Sequence, residues 1–436
     1  MLRDFKLKIE NFGPINEADL DISKINIIAG KNASGKTTIS KLLYCIITTF
    51  SGDGEYLAYE SIKDQFNLLT NNLQIPYSES SKISEIELIR LDVESDKEYK
   101  METIEKGYDR LKSIIDSSEL DDKEFFINTI GKNKQRIKRT QEMGFYWPLL
   151  INLIKNEFSG DKQIFENYSG SELHIYNDKE DNLFDYIVLI REEGMGVKPG
   201  IEFENSITPN CEAIYIETPY FLDYKIPFFQ FNYYGQKQYH QMLIYKKLTD
   251  SSAKSDILDH INNEDVIEFQ KKINKLLNGK FNLNNQGMLE FKQNDKTFDL
   301  NNTSTGLKSI GMIQLLLENR KLKENSYLIM DEPEVHLHPE WQVKLAEILV
   351  LLVKDLNVNL FINSHSPQFI EAIEVYSIKY GLKDETNFYL TEKDENDDKF
   401  NVKEIPYENL YELYNNLGNP YDLIDKIRGE NISNHL

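Results

Sequence analysis

Residues 25–37 read Ile25-Asn26-Ile27-Ile28-Ala29-Gly30-Lys31-Asn32-Ala33-Ser34-Gly35-Lys36-Thr37, and this stretch decides the fold. Its first five residues form a short, nearly continuous apolar run, the pattern of a strand buried on both faces. Gly30 to Thr37 then satisfies G-x-x-x-x-G-K-[ST]. Beyond it Ile39, Leu42, Leu43, Ile46, Ile47 and Phe50 recur at helical spacing, which predicts an amphipathic helix starting near Gly35. Strand, glycine-rich loop and helix in that order are the context a phosphate-binding loop requires. The two glycines let backbone amides curl around phosphate oxygens, and the helix N-terminus adds positive potential. Lys36 reaches the β- and γ-phosphates, and the Thr37 hydroxyl is a candidate Mg²⁺ ligand. Gly30, Asn32, Ala33, Ser34, Gly35, Lys36, Thr37 and Thr38 are therefore the candidate phosphate-binding residues. A surface Gly-Lys turn would lack the apolar flanks on both sides.

Working outward, residues 4–10 and 18–22 alternate polar and apolar, so two further strands precede the loop. Far downstream, Tyr327-Leu328-Ile329-Met330-Asp331-Glu332 is an apolar strand ending in two carboxylates. In a parallel sheet the strand end is where a nucleotide site lies. Asp331 is placed to hold Mg²⁺, and Glu332 to orient or deprotonate an attacking water. After it come a helix with Leu345, Ile348, Leu349, Leu352 and Val353 on one face and a strand at 358–362. Strands alternating with helices predict a parallel sheet covered by helices.

Between these ends, residues 51–164 turn mostly helical and charged, with a strand expected at 83–93. Hairpin strands are expected at 172–176, 186–191, 201–203 and 213–217, a helical stretch over 235–278, and another hairpin over 281–300. The 235–278 stretch would span only ~60 Å as helix, too short for coiled-coil arms. The division expected is a first lobe over 1–50, a helical insertion over 51–164, hairpins completing the lobe over 165–222, a helical connector over 223–282, and a second lobe over 283–436.

The chain has 436 residues, 50 Lys plus Arg against 72 Asp plus Glu, and a formal charge of −22. With 40% hydrophobic residues this is an acidic globule, ill suited to coat nucleic acid. Two cysteines, Cys45 and Cys211, build neither a disulfide framework nor a zinc site. Neither a leader-like apolar core nor an apolar run of membrane-spanning length occurs, so a cytoplasmic protein without membrane contact is expected.

Two more stretches complete a pattern. Asn302-Thr303-Ser304-Thr305-Gly306-Leu307-Lys308 precedes Asp331 and opens a helix, and Asn363-Ser364-His365-Ser366-Pro367 follows the next strand. Loop, Ser-x-Gly signature, Asp-Glu strand and a histidine in that order resemble the ABC-type ATPases of the SMC, RecF and OLD class. Leu-Lys-Ile-Glu-Asn-Phe-Gly-Pro-Ile over 7–15, Asp-Glu-Pro-Glu-Val-His-Leu-His-Pro over 331–339, and Leu417-Gly418-Asn419-Pro420 look most like stand-alone ATPases of bacterial phage-defence systems. The resemblance implies an α/β, ABC-ATPase-type two-lobe P-loop NTPase with a mixed or parallel sheet and helical insertions. It implies hydrolysis of ATP with Mg²⁺ in a head-to-tail homodimer, or a higher oligomer built from it. Ser304 and Gly306 would contact the γ-phosphate held by the Lys36 of the other copy, and His365 would act as the switch histidine. Glu332, Lys36 and His365 are the catalytic candidates, and Thr37 and Asp331 the metal ligands. Thr303, Thr305 and Leu307 depart from the transporter-type Leu-Ser-Gly-Gly-Gln, and Ser304 also suits an ordinary helix cap.

Only 71 residues follow His365, too few for the nuclease domain of OLD-type proteins, so a separate nuclease or toxin effector in antiviral defence is expected. A RecF-like ATPase acting on DNA, or an ATP-bound structural partner without turnover, stands as the alternative. The glutamine that such ATPases place near Mg²⁺ is not identifiable; Gln65 and Thr218-Pro219 are its candidates. His336 and His338 are read as part of the loop after Glu332 and not as zinc ligands. Lys132, Arg136 and Arg139 share a helical face that either follows a phosphate backbone or is simply solvated. The aromatics over 220–245 are either an interface or stacking platform, or core packing between the lobes. The acids Asp394, Glu395, Asp397 and Asp398 read as a polar turn.

Overall fold

The computed structural model describes residues 5–96, 99–143, 146–158, 171–176, 185–191, 194–200, 212–217, 239–249, 264–283, 289–294, 296–299, 305–395 and 397–418. The chain divides into two compact units, one from residues 1–47 with 154–436 and one from residues 48–153.

The larger unit begins with strands β1 (Phe5–Glu10), β2 (Ile15–Ile22) and β3 (Ile25–Ala29), followed by α1 (Lys36–Thr49). Within the second unit run α2 (Gly52–Asn71), α3 (Ser80–Glu94), α4 (Met101–Ser117) and α5 (Lys123–Met143), and α6 (Tyr146–Glu157) leads back out. The larger unit continues with β4 (Glu172–Tyr176), β5 (Asp185–Arg191), β6 (Gly194–Gly200) and β7 (Ala213–Ile216). Helices α7 (Tyr239–Thr249) and α8 (Glu264–Leu277) precede β8 (Lys280–Leu283), β9 (Leu289–Gln293) and β10 (Lys296–Asp299). Helix α9 (Thr305–Glu318), β11 (Tyr327–Asp331), α10 (Pro339–Leu356), β12 (Asn359–Ser364), α11 (Pro367–Lys379), β13 (Thr386–Lys393), β14 (Phe400–Glu404) and α12 (Leu410–Asn416) complete it.

An 11-stranded sheet takes the order β6-β5-β4-β1-β2-β14-β13-β3-β12-β11-β7, and β10-β9-β8 form a separate antiparallel sheet. β13, β3, β12, β11 and β7 run parallel, whereas β6, β5, β4, β1 and β2 form an antiparallel wing. The parallel strands are apolar without alternation because both faces are covered, and every residue of β3 and β12 is buried. β1 and β2 instead alternate buried with accessible residues, which is why their period was legible. Alternate residues of the parallel strands, among them Ile25, Ile27, Ile216, Met330, Ile362 and Leu390, share one core with residues of α7 to α12. This is the α/β P-loop architecture with a mixed sheet that the sequence predicts.

Residues 83–93 are helical, not the strand expected. Ile86, Ile89 and Val93 of α3 face the core of the second unit at helical spacing, while Leu88 and Leu91 are 57% and 59% exposed. The β-branched residues there suggest a strand, but one helical stripe is all that the neighbouring helices can cover. That core joins Tyr59 and Phe66 of α2, Ile104, Tyr108 and Leu111 of α4, and Ile130 and Ile137 of α5. Tyr59 donates its hydroxyl to the Val93 carbonyl at 3.0 Å.

The hairpin expected over 281–300 is the three-stranded sheet, and β6 had no counterpart in the sequence reading. Residues 201–203 and all of 220–238 lie outside the described residues; of the aromatic cluster, Tyr245 packs against the larger core.

Candidate functional site

Residues 30–35 leave β3 and turn sharply into α1. Gly35 has φ +88°, and a Cβ there would lie 2.3 Å from Ile15 Cδ1, so only glycine fits. At Gly30 a Cβ would meet Thr391 Oγ1 at 1.8 Å. Thr391 Oγ1 stands 2.6 Å from Ser34 Oγ, so β13 backs the loop directly. The Lys36 side chain is 5% exposed and lies inside the loop, donating to the carbonyls of Gly30 and Lys31 at 2.9 Å each. Burial holds its ammonium below the usual lysine range, and Glu332 and Asp331 oppose that fall.

Asp331 reaches the loop from the end of β11, which β12 separates from β3. The Thr37 hydroxyl donates to Asp331 Oδ2 at 2.5 Å, and Asn363 Nδ2 donates to Asp331 Oδ1 at 2.9 Å and to Ser40 Oγ at 2.7 Å. Burial raises the Asp331 carboxyl above the ordinary aspartate range, against the pull of the Thr37 and Asn363 hydrogen bonds. Glu332 follows at φ 47°, a left-handed turn that points a non-glycine residue off the strand end. Its Oε1 stands 3.7 Å from Lys36 Nζ and 2.9 Å from His365 Nδ1.

Behind this pair Glu334 is 1% exposed and accepts from the Ser364 hydroxyl at 2.5 Å. Burial pushes its carboxyl up to about 7. Ser366 caps α11 by accepting from the Phe369 amide, and His338 caps α10 by accepting from the Glu340 amide. His338 therefore serves the helix that follows the loop.

Pro14, the residues from Asn32 to Thr38, Glu217, Asp331 and Glu332 line one cavity of about 550 Å³. The structure thus brings together Gly30, the rest of the loop, Lys36, Thr37, Asp331, Glu332 and His365. Gly306 lies in the first turn of α9, Ser304 and Thr218-Pro219 lie outside the described residues, and Gln65 lies on α2 of the second unit. Lys132, Arg136 and Arg139 are carried by α5, where Lys134 pairs with Asp109 at 2.6 Å. The acids after β13 form a turn in which Asp398 pairs with Lys393 and Asp394 accepts from Asn401.

Other residues around the site were not singled out by the sequence reading. Asn363 was legible only as part of the stretch around His365. Glu217 follows an apolar strand as Glu332 does, but no second acid marks it. His240 stands 2.6 Å from Glu157 and 3.5 Å from Glu217, a grouping of distant chain segments that no spacing signals.

A family model described as an AAA ATPase domain matches residues 5–370. No curated protein matches the sequence. Among solved structures, the SMC head domain from Thermotoga maritima is 9% identical, covering 93% of this chain and 99% of that one with a TM-score of 0.39. An SMC head bound to the C-terminal winged-helix domain of ScpA is 10% identical, covering 93% and 98% with a TM-score of 0.43. An SMC head with an extended coiled coil, bound to the C-terminal domain of ScpA from Pyrococcus furiosus, is 10% identical, covering 97% and 98% with a TM-score of 0.38. No helix among the described residues is long and apolar enough to cross a membrane.

Proposed function

This chain belongs to the AAA ATPase domain family, and on that premise we propose that it hydrolyses ATP in the cavity between the Gly30–Thr37 loop and the Asp331-Glu332 strand end. One observation carries the reading: Thr37 and Asp331, 294 positions apart, meet at 2.5 Å on the wall of a cavity that Lys36 and Glu332 also reach. Lys36 would exchange the carbonyls of Gly30 and Lys31 for β- and γ-phosphate oxygens. The loop amides would hold the remaining oxygens, with α1 behind them. A hydroxyl beside a carboxylate is the hard oxygen donor set that suits Mg²⁺, so Thr37 and Asp331 would hold it. Bound there, the ion would neutralise phosphate charge. Glu332, now turned toward Lys36 and His365, would orient the attacking water once a γ-phosphate engages both of those side chains. His365 would donate to that phosphate.

The motif order supports a head-to-tail homodimer in which Ser304 and Gly306 of one copy complete the pocket of the other. On the same resemblance the chain would serve as an ATP-gated sensor or scaffold for a separate nuclease or toxin in antiviral defence. Phosphate release by the purified chain tests the hydrolysis, and its absence with Mg²⁺ and ATP overturns it. Mixing a Lys36→Ala copy with a Ser304→Ala copy tests the sharing: partial return of hydrolysis supports it, and none from two folded variants refutes it. Retention of a second polypeptide by the tagged chain, with or without ATP, tests the scaffold role, which fails if none is retained.

A further inference from the structure

Glu217 follows β7 and lies beside Asp331, because β7 and β11 run parallel with Ile216 paired to Met330. It lines the nucleotide cavity, yet its carboxylate is held from behind. Oε1 stands 2.8 Å from Lys41 Nζ and Oε2 stands 3.5 Å from His240 Nε2. His240 is 3% exposed, and its other ring nitrogen, Nδ1, lies 2.6 Å from Glu157 Oε2. Its backbone amide donates to Glu157 Oε1 at 3.0 Å, so both oxygens of a 1% exposed carboxylate face His240. The rings of Tyr215 and Tyr44 flank the imidazole at centroid separations of 4.8 and 6.0 Å.

Glu157 faces both the backbone amide and Nδ1 of His240, which fixes the ring in place. The second nitrogen instead faces a carboxylate on the cavity wall. With Glu157 fixing the ring and Lys41 holding the other oxygen, Glu217 has little freedom to rotate. Carboxylates placed together at parallel strand ends repel one another until a cation lies among them.

We propose that Glu217 belongs to the cation site of Thr37 and Asp331, and that His240, backed by Glu157, is its positioning residue. The inference rests on the nucleotide reading above. His240 and Glu157 touch neither nucleotide nor ion; they set the direction of the Glu217 carboxylate, as polar partners behind a cation-ligating carboxylate do elsewhere.

The test is Mn²⁺ binding to the full chain with a slowly hydrolysed ATP analogue, read by electron paramagnetic resonance. Fluorescent-nucleotide binding in EDTA is measured alongside. Glu217→Gln, His240→Gln and Glu157→Gln should each weaken Mn²⁺ binding roughly 10–100-fold, while metal-free nucleotide affinity does not fall. Because His240 acts through Glu217, the double variant should lose no more than Glu217→Gln alone. Wild-type Mn²⁺ affinity in Glu217→Gln, or additive losses in the double variant, overturns the inference. Should circular dichroism show His240→Gln unfolded, Glu157→Gln completes the same cycle. If the unmodified chain binds nucleotide in neither EDTA nor Mn²⁺, the nucleotide reading itself falls and this inference with it.

Discussion

Glu332 Oε1 stands 2.9 Å from His365 Nδ1 and 3.7 Å from Lys36 Nζ, so one carboxylate oxygen faces the two side chains proposed to receive a γ-phosphate. The same anion-binding groups thus face the proposed base before substrate arrives. Entry of a triphosphate replaces one acceptor by another. Glu332→Gln keeps the shape and removes the charge. Phosphate release should fall roughly 10²–10⁴-fold, the usual range for a lost general base. Nucleotide binding should persist, as measured by equilibrium dialysis; unchanged turnover would remove Glu332 from the mechanism.

Gly35→Ala meets Ile15 Cδ1 in a backbone region that L side chains rarely adopt. We expect a cost of about 1–3 kcal/mol from overpacking and strain together. The variant should bind no nucleotide by fluorescence titration and should unfold at lower urea concentration.

Glu334 gives the fold a pH dependence. Its folded-state value is about 7, above the ordinary 4.5, so the folded chain holds a proton that the unfolded chain releases. That contribution is fully present below pH 4.5, declines as pH rises, and is lost above 7. Linkage makes it on the order of 3 kcal/mol. Urea midpoints from pH 4.5 to 8 should fall more steeply with rising pH for the native chain than for Glu334→Gln. Parallel profiles would place Glu334 in a more polar setting.

Asn363 joins Asp331 to Ser40, and Asn363→Ala leaves both without that donor. A loss of about 1–3 kcal/mol is expected from a buried polar group deprived of its partner. Chemical denaturation reads it, and a change under about 0.5 kcal/mol would mean that the bond is dispensable.

The helical reading of α3 has its own discriminating pair. Ile89→Ala should cost about 2–5 kcal/mol and Leu91→Ala under about 0.5, because only Ile89 is buried. Equal costs would fit the alternation of a strand.

Elements that carry their own periodicity or a fixed chemical spacing were legible in the sequence. The loop from Gly30 to Thr37, the Asp331-Glu332 strand end and the stretch at His365 each announce themselves over a few residues, and the structure gathers them. Residues 83–93 misled because Ile, Leu and Val satisfy a period of two and one of 3.6 over so short a run. Only burial by α2 and α4 separates the two. Glu217, His240 and Glu157 were invisible for another reason: their meeting depends on three chain segments with no shared spacing.

β3 has β12 on one side and β13 on the other, and Thr391 of β13 closes the space behind Gly30. A loop made early therefore acquires its neighbours late. A nascent chain halted before residue 359 would display every letter of the glycine-rich signature and still own no receptacle for a triphosphate. An early strand is thus walled in by segments made late.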